Sequence, residues 1–345
     1  MTTPALCAIG WNRFFEEQLA SIDGAGIVLA RVSAHHGSQV ELYGEDGEYR
    51  APVRSAEAAG KVAVGDWLVL SASDGRAIRR LERKTVLARK AAGEEAKAQI
   101  LVTNVDTVFI VTSCNEDFNL ARLERYLAMA LQAGATPVVV LTKADLCEDP
   151  AALAERARGL HPGLAVEVMD ARRPEQAEVL RAWCGPGQSV ALLGSSGVGK
   201  STLAGVLGAG DLATGGIREK DGKGKHTTTS RSLHLLPTGG VLVDNPGVRE
   251  FQLGECDEGV ADLFEDVLRV IAECKFSDCR HEGEPGCAVR AAIASGELDE
   301  RRYASFVKLQ EEQARNARTL AARRERERKQ GKTYKAAVAR KRRKG

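Results

Sequence analysis

The residues best suited to chemistry lie in GSSGVGKS, residues 194–201, between the apolar run SVALL and a helical pattern. The fixed positions of a phosphate-binding loop are all present: Gly194, Gly199, Lys200 and Ser201. Backbone N–H groups and the helix N-terminus favour phosphate oxygens there. Lys200 is predicted to reach the β- and γ-phosphates and stabilise charge catalytically, and Ser201 to ligate Mg²⁺. The predicted contacts are Gly194, Ser195, Ser196, Gly197, Val198, Gly199, Lys200, Ser201 and Thr202.

Two downstream segments predict the rest of the phosphate site. VLVDNPGV places Asp244 near Mg²⁺ and Gly247 where its N–H can contact the γ-phosphate. GKGKHTTTS, residues 222–230, is basic and rich in hydroxyls, as a switch loop ordered by Mg²⁺ and γ-phosphate would be. Thr228 or Thr229 would be the Mg²⁺ ligand there, and the sequence does not choose between them. A plain surface loop is the alternative for this segment.

The stretch TKAD, residues 142–145, predicts which base is bound. The Asp145 carboxylate can accept from both guanine N1–H and the 2-amino group, whereas adenine offers no such pair of donors. Lys143 would pack its stem over the base. The predicted base contacts are Thr142, Lys143, Ala144 and Asp145.

The order of these motifs is unusual, because the base motif precedes the phosphate loop by about fifty residues. In a parallel α/β sheet the ligand site gathers loops from the carboxyl ends of several strands, whatever their chain order. Chain termini often lie close together, so circular permutation can preserve such a site. The sequence therefore predicts one nucleotide site in a permuted domain.

The stretch CKFSDCRHEGEPGC predicts a metal site. Three thiols and one imidazole can close a tetrahedral Zn²⁺ site with no open position, so its role would be structural. Its ligands would be Cys274, Cys279, His281 and Cys287. The five other cysteines are scattered and are interpreted as free thiols.

Charge is distributed unevenly along the 345 residues. Residues 323–345 contain twelve Lys or Arg and two Glu, a net +10, so a total of +2 leaves about −8 for the rest (2 − 10). Such a basic tail indicates a polyanionic partner such as nucleic acid, or a membrane surface, or simply a solvated charge run. No apolar run approaches the roughly 18–20 residues of a membrane span, and no secretory signal begins the chain. We therefore expect a cytoplasmic protein that is a monomer and does not bind a membrane.

The fold class predicted from the patterns is multidomain. Residues 21–87 contain five short, often alternating segments, which fit an OB-type or an SH3-like barrel. Residues 100–254 alternate apolar runs with helical patterns such as LARLERYLAMALQAG, which predicts an α/β domain with a mainly parallel sheet. Residues 255–273 have the spacing of a single amphipathic helix before the cysteine-rich segment.

The chain resembles the RsgA (YjeQ/EngC) family of ribosome-associated GTPases. The resemblance rests on TKAD, GSSGVGKS, KHTTT (225–229), DNPGVREF (244–251), the cysteine-rich segment, and NVDTVFIV and DFNLARLERYL between 104 and 127. The resemblance covers roughly residues 22–300. It implies an OB-fold RNA-binding domain, a circularly permuted GTPase domain (89–254) and an α-helical zinc domain (255–300). We assign residues 1–88 to the OB-fold domain with an N-terminal extension, and the charge pattern predicts a basic helical or disordered tail at 301–345. The resemblance also implies docking near the decoding region of the small ribosomal subunit and its 16S rRNA late in assembly, with stimulated GTP hydrolysis and other assembly factors as further partners.

Three positions depart from the resemblance or affect the chemistry. Thr142 stands where many members have Asn. Met169-Asp170-Ala171 stands where a Ser-Ala contact to the base edge is expected, and the Ala171 N–H would donate to guanine O6. Val248 follows Gly247 where many GTPases carry a water-orienting Gln. Hydrolysis is therefore expected to be slow without another group, and His226 is a candidate; an RNA or phosphate contact is the alternative role for His226.

The function predicted is that of a GTP-hydrolysing assembly factor that uses GTP/GDP, Mg²⁺ and one Zn²⁺. Two alternatives remain at this point: an RNA-binding, nucleotide-sensing module with negligible turnover, and an ATP-dependent enzyme.

Overall fold

The computed structural model describes residues 3–20, 22, 26–90, 98–209, 232–244 and 256–318. The chain divides into two compact units. One unit combines Met1–Ala88 with Ile100–Phe251, and the other combines Arg89–Gln99 with Gln252–Gly345. Among the helices of the described ranges, none has the length and apolar character needed to cross a bilayer.

The first unit opens with two short helices and five strands, and all five strands predicted from the sequence are confirmed. Their bounds are α1 Pro4–Ala8, α2 Arg13–Glu17, β1 Ile27–His36, β2 Gln39–Gly44, β3 Gly47–Pro52, α3 Val53–Ala56, β4 Trp67–Ser71 and β5 Ala77–Arg80, with a 3₁₀ helix at Glu57–Ala59. The strands pair in antiparallel fashion in the order β3-β2-β1-β4-β5. Buried aliphatic side chains of β1, β2 and β4 form the core of this part.

Alternating strands and helices follow, as predicted for an α/β domain. Their bounds are β6 Val86–Lys90, β7 Ala98–Thr103, β8 Thr107–Ser113, α4 Leu120–Gln132, β9 Thr136–Thr142, α5 Pro150–Arg158, β10 Ala165–Val168, β11 Ser189–Leu193, α6 Lys200–Val206, β12 Ser232–Leu235 and β13 Val241–Asp244, with 3₁₀ helices at Ala144–Leu146 and Pro174–Trp183. Local signals account for the starts of α4 and α5, since the Asn119 and Asp149 side chains accept from the backbone N–H groups of Arg122 and Ala152.

The sheet order places the motif-bearing strands side by side. The strand order is β10-β9-β8-β11-β13-β12. The first five strands in this order are parallel to one another. The phosphate-loop strand β11 lies between β8 and β13, and β8 separates it from β9, which ends at the base motif. Only β12 runs antiparallel to its neighbour β13, and it also pairs with β1 through Ala34 and Ser232. The sheet is thus continuous from the α/β part into the N-terminal strands.

Asn104, between β7 and β8, adopts a left-handed backbone (φ 57°). One expectation about a single element was wrong. The amphipathic pattern at 255–273 forms two helices, α7 Asp257–Leu263 and α8 Glu265–Ala272. The break falls at Phe264, which is fully buried and has its ring 5.6 Å from that of Phe306.

The second unit continues with α9 Ala288–Ser295 and a helix, α10, over residues 300–318. Arg302, Phe306 and Leu309 of α10 are buried, so this part of the C-terminal region is packed. The Arg302 guanidinium binds both carboxylate oxygens of Asp266 in α8, with Nη2 2.8 Å from Oδ1. This bidentate ion pair joins α10 to α8, the helix that leads into the cysteine-rich segment.

Candidate nucleotide site and metal centre

The loop between β11 and α6 has the strand–loop–helix context that the phosphate motif requires. Gly194 has φ +149°, and a Cβ there would lie 2.1 Å from the Val111 carbonyl oxygen. Gly199 has φ +98° and immediately precedes α6. Both positions therefore need glycine, one for its close approach to β8 and the other for its left-handed backbone.

Lys200 lies buried at the start of α6 and points back into the loop. Its Nζ donates to the carbonyl oxygens of Gly194 at 2.8 Å and Ser195 at 2.6 Å. Burial lowers the pKa of Lys200, and the charges of Asp244 and Asp117 oppose that shift. Burial likewise raises the pKa of Asp244, against the opposing charge of Lys200. The ends of neighbouring strands β11 and β13 thus bring together a cation and a carboxylate, which could serve phosphate and Mg²⁺.

The base motif contacts the phosphate loop directly. The Thr142 hydroxyl lies 2.5 Å from the Val198 carbonyl oxygen and 3.1 Å from that of Thr112 in β8. Lys143 has a left-handed backbone (φ 55°), and its Nζ donates to the Gly197 carbonyl oxygen at 2.8 Å. The two motifs, 54 residues apart at this contact, therefore lie in one place, as permutation requires.

Asp145 and Ala171 lie in neighbouring loops at the ends of β9 and β10. The Ala144 N–H donates to the Met169 carbonyl oxygen at 3.3 Å, which joins the two loops. Asp145 Oδ2 lies 2.7 Å from Nη2 of Arg172. Ala171 is buried and follows Asp170, whose own N–H donates to the Gln176 side-chain oxygen.

Two arginines next to these motifs were not assigned roles from the sequence. Arg122 in α4 donates from Nη1 to the Ser195 hydroxyl at 2.8 Å and from Nη2 to the Asp117 carbonyl oxygen at 2.6 Å. Its partner in the phosphate loop is 73 residues away, so no local pattern reveals the contact. Arg172 directly follows the base-edge segment 169–171. The carboxylate of Asp170, two residues earlier, is the sequence signal that could have indicated a role for Arg172 at the site.

The remaining predicted nucleotide-site residues divide into two groups. Ser196, Gly197, Ser201 and Thr202 are exposed along the loop and the first turn of α6, where a ligand could reach them. The others lie outside the described residues: His226, Thr228, Thr229, Gly247 and Val248.

The cysteine-rich segment gathers its four predicted ligands. One ligand atom from each of Cys274, Cys279, His281 and Cys287 lies within 4.8 Å of the others. His281 Nδ1 is 3.5 Å from the sulfurs of Cys274 and Cys287. That spacing matches the edge, about 3.5 Å, of a tetrahedron with Zn–S near 2.3 Å and Zn–N near 2.0–2.1 Å. The cluster is therefore compatible with one zinc ion.

The loop between these ligands is shaped by one carboxylate. Glu284 accepts from the backbone N–H groups of Arg280 at 2.7 Å and of Glu282 and Gly283 at 3.0 Å. These bonds lower the pKa of Glu284 to about 2. His281 itself has a left-handed backbone (φ 63°), and its ring meets that of Tyr303 edge to face at 5.9 Å. The Tyr303 ring therefore helps to fix the orientation of the imidazole.

Fold and site together define a class of protein, the circularly permuted P-loop GTPases. Two solved structures resemble most of the chain. YjeQ from Thermotoga maritima has a TM-score of 0.60 and 25% identity, with coverage of 84% of this chain and 99% of that one. YloQ, described as a circularly permuted GTPase, has a TM-score of 0.59 and 23% identity, with coverage of 86% of this chain and 99% of that one. The second likeness concerns the fold alone.

Sequence comparison identifies the family. The family model described as RsgA GTPase matches residues 80–254. The protein named small ribosomal subunit biogenesis GTPase RsgA 2 in Vibrio parahaemolyticus is 47% identical over 96% of this chain and 92% of its own length. The protein named small ribosomal subunit biogenesis GTPase RsgA in Mesorhizobium japonicum is 46% identical over 91% of this chain and 92% of its own length. The chain belongs to the RsgA GTPase family.

Proposed function

We propose that this protein hydrolyses GTP during late maturation of the small ribosomal subunit, and that the subunit stimulates the reaction. The observation that carries the nucleotide assignment is the union of the two motifs, with Lys143 Nζ 2.8 Å from the Gly197 carbonyl oxygen. A base loop held against a phosphate loop can bind both ends of one nucleotide. The names of the relatives support the small subunit as partner.

In the proposed site, the loop N–H groups and Lys200 would bind the β- and γ-phosphates, and Ser201 with Asp244 would hold Mg²⁺. When bound, Mg²⁺ would neutralise the charge that develops on the phosphate oxygens. Lys200 adds a buried positive charge, which counts for more than it would in water. Thr228 or Thr229 would complete the Mg²⁺ site, and Gly247 would contact the γ-phosphate. Because Val248 cannot orient water, His226 or a group from the subunit would have to do so.

The other regions receive proposals of their own. Residues 1–88 form an OB-fold domain that binds 16S rRNA near the decoding region, and 89–254 form the GTPase domain. Residues 255–300 form a zinc domain, where Cys274, Cys279, His281 and Cys287 would hold one structural Zn²⁺. Residues 301–345 add positive charge for rRNA, so binding should weaken steeply with salt. The protein acts in the cytoplasm as a monomer, and other assembly factors bind the same maturing small subunit.

The test is GTP turnover with and without purified small subunits, at low and moderate salt. Stimulation that fades with salt supports the proposal. Slow turnover unchanged by subunits would instead favour a nucleotide-sensing, RNA-binding module.

Replacing Asp145 by Asn tests the base assignment, because an amide cannot accept from both guanine donors. The variant should lose most of its preference for GTP over ATP, whereas Glu148→Gln, at an exposed site three residues on, should keep it. Competition by unlabelled nucleotides measures both. An unchanged preference in Asp145→Asn would place the base elsewhere.

A further inference from the structure

One arginine joins the carboxylates of two loops at the base site. Arg172 Nη2 lies 2.7 Å from Asp145 Oδ2. The same guanidinium forms a two-pronged pair with Asp170, with both the Nε–Oδ1 and the Nη2–Oδ2 distances at 3.0 Å. The base motif and the base-edge segment thus share a single cation.

Asp170 is an unfavourable neighbour for guanine unless its charge is balanced. It precedes Ala171, whose N–H is proposed to donate to guanine O6, and only 9% of its side chain is exposed. A carboxylate at that edge would repel the partial negative charge of O6. Hydrogen bonding to Arg172 lowers the pKa of Asp170 and hydrogen bonding to Asp170 raises that of Arg172, so both groups stay charged at neutral pH.

Asp145 can keep Arg172 and still bind the base. A carboxylate offers about four acceptor positions on its two oxygens, and the arginine uses one of them. The remaining positions suffice for guanine N1–H and the 2-amino group. The arginine would then fix the rotation of the Asp145 carboxylate before the nucleotide arrives, which saves ordering entropy on binding.

We propose that Arg172 is a specificity-determining positioning residue for guanine, which balances Asp170 at the O6 edge and holds Asp145 for the other two contacts. The proposal rests on the guanine site proposed above. It also explains how this chain tolerates Asp170 where the family resemblance leads one to expect Ser.

A double-mutant cycle tests the role at Asp170. Affinity for a fluorescent methylanthraniloyl-GDP is measured for the wild type, Arg172→Gln, Asp170→Ser and the double variant. Arg172→Gln should weaken binding about tenfold when Asp170 is present and less than about threefold when Ser replaces it. The matched control is Arg173→Gln, whose Nε lies 3.7 Å from Asp170, and it should change affinity less than about twofold.

Competition by IDP tests the role at Asp145, because inosine lacks the 2-amino group. Arg172→Gln should reduce the preference for GDP over IDP. A general loosening of the loop would instead weaken the binding of both nucleotides alike. Equal weakening by Arg172→Gln in both Asp170 backgrounds would overturn the role at Asp170. An unchanged preference for GDP over IDP would overturn the role at Asp145. A wild type that fails to prefer GDP over ADP would instead overturn the guanine site itself.

Discussion

The buried arginine of β1 is expected to be a major source of stability in the first unit. Arg31 is fully buried and donates from Nη1 to the Ile9 carbonyl oxygen at 2.5 Å and to the Ser189 hydroxyl at 2.8 Å. Its Nη2 donates to the Asn104 carbonyl oxygen at 2.6 Å. It therefore ties the N-terminal segment and β1 to the first residue of β11, the strand that leads into the phosphate loop.

Replacing Arg31 by Met should leave two buried carbonyl groups, those of Ile9 and Asn104, without their donors. Each unsatisfied group costs about 1–3 kcal/mol, which gives roughly 2–6 kcal/mol for the pair. The guanidinium carries its own desolvation cost, evident in the lowering of the Arg31 pKa to about 10 by burial. Relief of that cost offsets part of the loss, so the expected net destabilisation is about 2–4 kcal/mol.

Urea unfolding followed by tryptophan fluorescence measures this change selectively. All three tryptophans of the chain, Trp11, Trp67 and Trp183, lie in the first unit, so the signal reports that unit. The control is Arg50→Met in β3, where the side chain is 71% exposed and pairs with Glu41. That change should cost less than about 0.5 kcal/mol. A loss below about 1 kcal/mol for Arg31→Met would refute the reasoning, since desolvation would then outweigh the hydrogen bonds.

Two further predictions concern the site loops. Thr142→Val removes the hydroxyl that donates to the Val198 carbonyl oxygen and nearly preserves the side-chain volume. The lost hydrogen bond is worth about 1–2 kcal/mol, so GDP binding should weaken roughly 5–30-fold in a fluorescence titration. Unchanged affinity would show that the contact between the loops is dispensable. Glu284 has a pKa depressed to about 2, so its stabilisation of the zinc loop should be complete above about pH 4.5 and be lost as the pH falls towards 2. Amide exchange at 280–284 should therefore lose protection in Glu284→Gln at pH 7 but not in Glu282→Gln, and equal protection in both variants would contradict the role of the carboxylate.

The local motifs were predictable because each requires particular residue types at fixed short spacing. The strand–loop–helix context of Gly194–Ser201, the five N-terminal strands, and the convergence of three thiols and one imidazole all follow from contiguous segments. Elements with weak local signals were missed: α1, α2, β12 and the division of the 255–273 pattern at Phe264. There Phe264 packs against Phe306 of another helix at the point where the helix breaks, although the helical periodicity of the sequence continues unbroken.

The sequence by itself determined the chemistry of this protein: a phosphate loop, a guanine-type base motif and a cysteine-histidine set, in an order that requires permutation. Only the tertiary structure decided how these pieces meet. Lys143 reaches Gly197, Arg172 bridges Asp145 and Asp170, and Arg31 joins Ile9, Asn104 and Ser189. The physical reason is distance along the chain: a motif is specified by neighbours a few residues apart, whereas most of these hydrogen bonds and ion pairs join residues that only the strand order of the sheet brings together.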